Sequence, residues 1–206
     1  KIGIHLKIDT GMGRLGCNCE NCVKIASLIA NSSNIELKGV CTHFSVSDSL
    51  KQEDINYTNH QIQVFKHCID NIKNNGINPG IIHGANSGAV LMYEDAWFDM
   101  VRPGIICYGF APDIEQYQQI INNKKFGKLK PLFELETCVS SIINHKKGDS
   151  ISYGRTWICE EDTCIAVLPI GYADGFFRRF NNNISVKIND KIYPQVGRIC
   201  MDQCMI

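Results

Sequence analysis

The chain has 206 residues, of which 44% are hydrophobic and 20% are charged, as in a folded globular protein and unlike a disordered or collagen-like chain. Its 21 Lys and Arg residues balance its 21 Asp and Glu residues, so bulk charge does not indicate binding to nucleic acid or to a membrane surface. The longest apolar runs, such as residues 163–170, are too short for a membrane-spanning helix.

The first half of the chain alternates strand patterns with helix patterns, which indicates parallel βαβ units. Strand patterns cover residues 2–9, 35–44 and 78–84, and residues 100–108 contain a fourth strand-like stretch that Pro103-Gly104 break. Helix patterns cover 21–30, 52–74 and a short stretch from Ser87. Each predicted strand ends in a segment with ionisable or hydrogen-bonding side chains: Lys7-Ile8-Asp9, Thr42-His43-Phe44, His83-Gly84-Ala85-Asn86-Ser87 and Arg102-Pro103-Gly104. Such groups at the carboxyl ends of successive parallel strands are typical of the active-site face of a (β/α)8 barrel.

Only part of such a barrel fits in this chain, because a whole barrel needs about 200 residues or more. We count about four of the eight units before a polar, Lys-rich stretch, residues 122–130, that reads as a linker. Strand patterns then cover residues 135–144, 165–170, 184–188 and 192–196. The predicted fold is therefore α/β: the C-terminal half of a (β/α)8 TIM-type barrel over residues 1–122, followed by part of an all-β domain over residues 130–206. Both ends interrupt strand patterns, so we expect a piece of a longer protein.

Eleven cysteines are many for this length, but their odd number and irregular spacing argue against a secreted disulfide framework. Cys17, Cys19 and Cys22 have the spacing of half a metal site, without a second pair or a nearby histidine to complete it. We therefore predict no metal site. The simpler interpretation is reduced thiols that serve as small hydrophobic side chains in the cytoplasm.

Seven short motifs in fixed order resemble those of the alanine racemase family. They are Lys-Ile-Asp-Thr-Gly-Met-Gly-Arg-Leu-Gly (7–16), Thr-His-Phe (42–44), Asn-Ser (86–87), Arg-Pro-Gly-Ile (102–105) with Tyr-Gly (108–109), Ser-Tyr-Gly-Arg-Thr (152–156), Ile-Gly-Tyr-Ala-Asp-Gly (170–175) and Gly-Arg-Ile-Cys-Met-Asp-Gln (197–203). The resemblance implies a homodimer that depends on pyridoxal 5'-phosphate (PLP). It also implies the interconversion of L-alanine and D-alanine through a PLP aldimine with two-base proton transfer, which supplies D-alanine for peptidoglycan.

The resemblance places the PLP phosphate on the Ser87 hydroxyl and on the backbone amides of Gly104 and Ile105. It places Arg102 against the PLP ring nitrogen, which then stays an unprotonated acceptor because an arginine only donates. Taken alone, the same residues read as a helix N-cap at Ser87, a turn at Pro103-Gly104 and a surface arginine.

The resemblance makes Tyr153 a base that acts across the dimer interface, with His43 beside it and Arg102 beyond. A free phenol has a pKa near 10, so this role needs nearby positive charge or hydrogen bonds. Arg14 is expected to contact the cofactor oxygen and the substrate carboxylate. Lys7 is expected to carry a carbamate that orients Arg14, since two cations would repel each other. The alternatives are a half-buried strand tyrosine and a lysine that faces solvent.

Three further residues are expected at the substrate. The Met201 backbone amide binds the carboxylate, Asp202 orients that loop, and Tyr172 gates the entrance. Met201 and Asp202 reach the other subunit's active site in this family.

The family's Schiff-base lysine lies in a Lys-Ala-Asn-Ala-Tyr-Gly-like segment that this chain does not contain. Because that lysine is also the second base, we expect no racemisation by the chain alone. Two other interpretations stay open: another barrel-type PLP enzyme, of which a serine-preferring racemase fits better than a decarboxylase, and a non-catalytic half-protein.

Overall fold

The structure is a computed structural model, and it describes residues 1–113, 115, 118 and 127–206. The chain divides into two compact units, residues 1–133 and residues 134–206. Most of the predicted linker, residues 122–126, lies outside the described residues, as does the predicted end of the first domain.

The first unit is built from parallel βαβ units, as predicted. Its elements are β1 (Ile2–Lys7), α1 (Cys22–Ala30), β2 (Ile35–Cys41), α2 (Gln52–Asn74), β3 (Ile81–His83) and α3 (Ser87–Met92). The strands form a parallel sheet in the order β1-β2-β3, and a helix joins each strand to the next. All three carboxyl ends therefore lie at one edge of the sheet, where loops can bring polar side chains together.

One apolar face of α2 holds this sheet in place. Phe65, Cys68 and Ile72 on that face have no exposed surface, and they pack in one core with Ile8 and Val40 from the strand side. Their spacing of three to four residues is the helical period that the sequence displayed. Full burial of one such large side chain stabilises the unit by about 1.5–3 kcal/mol.

The prediction of a fourth strand within residues 100–108 is wrong. Met100 makes a single parallel bridge to His83, and Ile105–Tyr108 form a 3-10 helix instead of extended chain. Pro103 has no N–H to donate to a strand ladder, and Gly104 turns the chain into the helix. This change of direction carries Arg102 and Gly104 to the sheet edge.

The second unit is all-β over its described residues, as predicted. Its elements are β4 (Ser141–His145), β5 (Ser150–Ile151), β6 (Trp157–Ile158), β7 (Thr163–Leu168), β8 (Ser185–Ile188), β9 (Lys191–Pro194) and β10 (Cys204–Met205). One antiparallel sheet has the order β10-β7-β4, and β5-β6 and β8-β9 form two hairpins. Asn189 and Asp190 join β8 to β9 with φ of 47° and 67°, as a two-residue type I′ turn requires.

All eleven cysteines are free thiols, and each lies in the described part of the chain. Cys22 and Cys68 are fully buried in the core of the first unit, where the Cys22 thiol donates to the Cys68 carbonyl at 3.9 Å. Burial raises the pKa of the Cys68 thiol, so it stays protonated. Over the described residues, none of the helices is both long and apolar enough to cross a membrane.

Candidate active site

Arg102 is the centre of the polar cluster at the carboxyl edge of the parallel sheet. Its Nη2 donates to the carbonyl oxygen of Thr42 at 2.7 Å and to that of Gly84 at 3.2 Å, and its Nη1 makes a short contact with Nδ1 of His83. Burial lowers the pKa of the guanidinium, which nevertheless stays charged at any working pH. Its Nε has no hydrogen-bond partner among the described residues, so Arg102 keeps a donor for a ligand.

His43 lies next to this guanidinium, with Nδ1 3.5 Å from Arg102 Nη2. Burial lowers the pKa of His43 most, and the positive charges of Arg102, Arg14 and Lys7 lower it further. Four predicted site residues therefore come together in the first unit. Because His43 is held neutral among three cations, it can accept a hydrogen bond at neutral pH.

A carboxylate organises the loop that carries Arg14. Asp9 accepts hydrogen bonds from the amides of Gly11, Met12 and Gly13, at distances of 2.8–3.1 Å. These bonds, above all that from Gly11, hold the pKa of Asp9 below its ordinary value. Gly11 has a φ of 129°, and its carbonyl accepts from the Tyr57 hydroxyl at 2.9 Å, which ties the loop to α2.

Lys7 lies at the base of the same loop. Its Nζ donates to the Leu15 carbonyl at 2.6 Å, and its own carbonyl accepts from the Cys17 amide at 3.0 Å. Both contacts close the loop around the segment that bears Arg14. The positive charge of Lys7 lies near enough to His43 to contribute to its lowered pKa.

Ser87 and Gly104 also meet at this edge. The Gly104 amide donates to the Ser87 hydroxyl oxygen at 2.9 Å, which leaves the hydroxyl proton free to donate elsewhere. The N-cap of α3 is Asn86 and not Ser87, since the Asn86 side chain accepts from the Ala89 amide. Ile105 begins the 3-10 helix that follows, so its amide has no acceptor within that helix.

These donors fit the phosphate of PLP. A Cβ built on Gly104 would have the Ser87 hydroxyl, 3.6 Å away, as its nearest neighbour, so open space lies where an anion could approach both. Hydroxyl and amide donors on loops after barrel strands are what a phosphate needs. The uncommitted Nε of Arg102 would be available as a donor to the ring nitrogen.

In the second unit, Tyr153 stands on a strained turn. The 3-10 helix Tyr153–Arg155 is preceded by Ser152, whose φ of 66° and ψ of −177° lie in a region that is essentially reserved for glycine. Arg155 also has a positive φ, of 50°, whereas Gly154 adopts its φ of 72° without strain. Each strained residue costs on the order of 1–3 kcal/mol, and such strain clusters at functional sites. The Tyr153 side chain is 68% exposed, so a partner molecule can reach its hydroxyl.

The other three predicted residues of this unit lie along the adjoining chain. The Tyr172 amide donates to the Cys200 carbonyl at 3.0 Å, and the Ala173 amide donates to the Met201 carbonyl at 2.8 Å. These bonds join the turn Tyr172–Asp174 to the loop of Met201 and Asp202. The Tyr172 ring stacks on the guanidinium of Arg178, with 4.5 Å from the Arg178 carbon to the ring centre. The second unit thus gathers Tyr172, Met201 and Asp202, while the predicted pairing of His43 with Tyr153 stays a prediction.

Sequence reasoning missed two contributors to the first cluster. His83 was noted only as a polar residue at a strand end, and Asp9 only as part of a motif, although His83 contacts Arg102 and Asp9 shapes the Arg14 loop. The alternation of His5, Lys7 and Asp9 along β1 and its loop places three polar side chains on one face, and this pattern could have drawn attention to them.

Two family models together match almost the whole chain. The alanine racemase N-terminal domain matches residues 1–112, and the alanine racemase C-terminal domain matches residues 132–206. The chain belongs to the alanine racemase family. Its mixed fold is therefore part of the (β/α)8 barrel of that family followed by part of its β domain.

Named relatives agree with the assignment to alanine racemases. The alanine racemase of Treponema denticola is 52% identical over 206 residues, which are all of this chain and 52% of that protein. The alanine racemase of Treponema pallidum is 42% identical over 204 residues, which are 99% of this chain and 52% of that protein. The chain spans about half the length of the curated relatives that it matches.

Solved alanine racemases share the fold. The crystal structure from Bacillus anthracis with bound L-Ala-P is 35% identical, with a TM-score of 0.84 over 98% of this chain and 50% of that one. The Clostridium difficile alanine racemase in complex with cycloserine is 33% identical, with a TM-score of 0.82 over 100% of this chain and 50% of that one.

Proposed function

We propose that this chain is part of a PLP-dependent alanine racemase that interconverts L-alanine and D-alanine. The observation that carries the proposal is Arg102: a half-buried guanidinium held on two carbonyls and an imidazole at the carboxyl edge of the sheet, with its Nε uncommitted. The names of the relatives support alanine as the substrate. The supply of D-alanine for peptidoglycan is part of the same proposal.

Ser87, Gly104 and Ile105 would hold the phosphate of PLP, and Arg102 would face its ring nitrogen. When bound, PLP draws electrons from the α-carbon of an amino acid and makes its proton acidic. Because Arg102 only donates, the ring nitrogen that it would face would stay unprotonated. This arrangement weakens electron withdrawal by the ring and disfavours side reactions such as transamination.

Tyr153 would remove or return the α-proton on one face of the substrate. A phenol needs a lowered pKa to act as a base near neutral pH, and His43 with Arg102 beyond it would supply the hydrogen bond and the positive charge. We propose that Tyr153 serves the partner subunit of a homodimer, which its exposed hydroxyl permits. The second base would be the family's Schiff-base lysine, which this sequence does not contain.

Arg14 and the Met201 amide would bind the substrate carboxylate. Asp202 would orient the loop of Met201, and Tyr172 would gate the substrate entrance. Lys7 would carry a carbamate, because an anion beside Arg14 replaces repulsion with attraction. The ¹³C NMR spectrum of the intact protein in ¹³C-bicarbonate, with Lys7→Ala as the control, tests this step. An unmodified Lys7 under those conditions argues against the carbamate.

We place the enzyme in the cytoplasm, where free thiols persist. The eleven unpaired cysteines support this placement.

The test of the proposed function is a racemisation assay on the complete protein that contains this chain. L-alanine and L-serine are compared at equal concentration with added PLP, and the product enantiomers are separated by chiral chromatography. Faster turnover of alanine supports the proposal, faster turnover of serine makes the protein a serine-preferring racemase, and turnover of neither contradicts both.

A further inference from the structure

A histidine outside the predicted site touches the Arg102 cluster. Nδ1 of His5, on β1, lies 2.6 Å from Nε2 of His83, at the end of β3, and the two ring centres are 4.9 Å apart. The other ring nitrogen of His83, Nδ1, contacts Arg102 Nη1. The three side chains form a continuous line from His5 through His83 to the guanidinium.

The chemistry of Arg102 determines where each proton in this line lies. A guanidinium only donates, so His83 Nδ1 must be the acceptor and carry no proton. Neutral His83 then bears its proton on Nε2 and donates it to His5 Nδ1, the only arrangement that makes both contacts hydrogen bonds. Every bond in the line therefore points the same way, from Arg102 to His83 and from His83 to His5.

The contact between the two histidines depends on a glycine. The strand order is β1-β2-β3, so the His5 ring must cross β2 to reach His83, over two strand spacings of about 4.8 Å each. Gly39 is the register partner of His5 on β2, and a Cβ built there would lie 2.6 Å from both Cε1 and Nδ1 of His5. The absence of a side chain at Gly39 leaves the path open for the imidazole.

We infer that His5 is a positioning residue for Arg102. By accepting the His83 Nε2 proton, His5 holds His83 in the tautomer whose Nδ1 receives the guanidinium, and so fixes the direction in which Arg102 presents its remaining donor. The inference rests on the proposed function in that the remaining donor would face the PLP ring nitrogen. His5 itself touches neither substrate nor cofactor.

The surroundings of His83 favour this neutral tautomer. His83 is 5% exposed, and burial, followed by the charge of Arg102, lowers its pKa to about 4. Cys41 faces His83 in the register of β2, and Lys7 faces Cys41 from β1. Loss of the His5 acceptor would leave the Nε2–H of His83 without its protein partner. The charge of Arg102 beside it opposes a second proton on His83.

The test compares three variants of His5 in the complete protein. His5→Asn keeps an acceptor oxygen near the position of Nδ1, His5→Gln moves it outward toward the position of Nε2, and His5→Leu removes it. We expect His5→Leu and His5→Gln to weaken PLP binding and to lower kcat by about tenfold, the loss for one unpaired buried donor, and His5→Asn to stay close to wild type. His60→Leu, on the exposed side of α2, serves as the control and should change nothing.

A second readout does not depend on activity. The ¹⁵N chemical shifts of the His83 ring show which nitrogen carries the proton, and we expect a mixture of tautomers in His5→Leu but not in His5→Asn. The inference would be overturned if His5→Leu and His5→Gln both kept the wild-type ¹⁵N shifts of His83 and the wild-type affinity for PLP. If His5→Leu does not fold, the comparison of Asn with Gln still decides. If the complete protein does not racemise amino acids, the proposed function is contradicted. If the tautomer of His83 nevertheless changes in His5→Leu, the role of His5 stands.

Discussion

The hydroxyl of Ser152 donates a hydrogen bond of 2.6 Å to the carbonyl oxygen of Arg198 from a backbone conformation that is nearly reserved for glycine. The bond fixes the residue immediately before Tyr153 to the segment that leads into Met201 and Asp202. A local strain is thus held in place by a contact that spans 46 residues of sequence. This contact relates the position of the proposed base to that of the proposed carboxylate loop.

Ser152→Ala should lower the free energy of unfolding by about 1 kcal/mol, since it loses the bond and keeps the strain. Ser152→Gly also loses the bond but relieves the strain, so it should be more stable than Ser152→Ala by about 1 kcal/mol or more. Urea unfolding measures both. At Ser185, in the ordinary strand β8, we expect the opposite order, with glycine less stable than alanine. If the alanine variant were the more stable one at both Ser152 and Ser185, Ser152 would not be strained.

Asp9→Ala should lower the free energy of unfolding by about 1–3 kcal/mol at neutral pH, because the amides of Gly11, Met12 and Gly13 lose a charged acceptor. The pKa of Asp9 is lowered in the fold, so its contribution is present above the ordinary value of 3.8 and is lost as the pH falls through the lowered value. Urea midpoints against pH test this. Asp70→Ala, on the exposed side of α2, should cost nothing.

Stability of the chain should fall as the pH is lowered from about 6.5 to about 4. The pKa of His83 is lowered to about 4 in the fold, so the unfolded chain binds a proton over this range and the folded chain does not. The contribution is at most about 3 kcal/mol, and His43, with its lowered pKa, adds to it in the same direction. Urea unfolding across this range measures the slope, which His83→Asn should reduce. An unchanged slope in that variant would show that His83 titrates normally.

Tyr153→Phe in the complete protein should reduce turnover of alanine by about 100-fold or more, because the proton acceptor on one face is lost. Chiral chromatography gives the rate, and far-ultraviolet circular dichroism checks the fold. Tyr193→Phe, on the hairpin strand β9, is the matched control and should keep the wild-type rate. A mild effect of Tyr153→Phe would remove Tyr153 from the mechanism.

The purified 206-residue chain with added PLP should not racemise alanine. It lacks the lysine that forms the Schiff base and serves as the second base in this family. The assay is the same chiral separation, with the complete protein as the positive control. Measurable turnover by the chain would show that one of its own lysines can replace the missing one.

The sequence by itself determined the βαβ order, the change to an all-β unit and the residue types at the strand ends. These features depend on local periodicity and on turn residues, which a sequence displays directly. The strand patterns over residues 184–188 and 192–196 likewise indicated the two strands that pair as the β8-β9 hairpin. Local order also indicated the family, since short motifs keep their spacing along the chain.

Only the tertiary structure decided how those residues meet. Pro103 and Gly104 turned a predicted strand into a loop and a 3-10 helix, because a strand exists only where a neighbour can pair with it. Arg102 contacts His83 and Thr42, which are 19 and 60 residues away in the sequence. His5 contacts His83 only because Gly39 leaves room on the strand between them. Such contacts depend on sheet register and on the space between strands, which local sequence patterns do not encode.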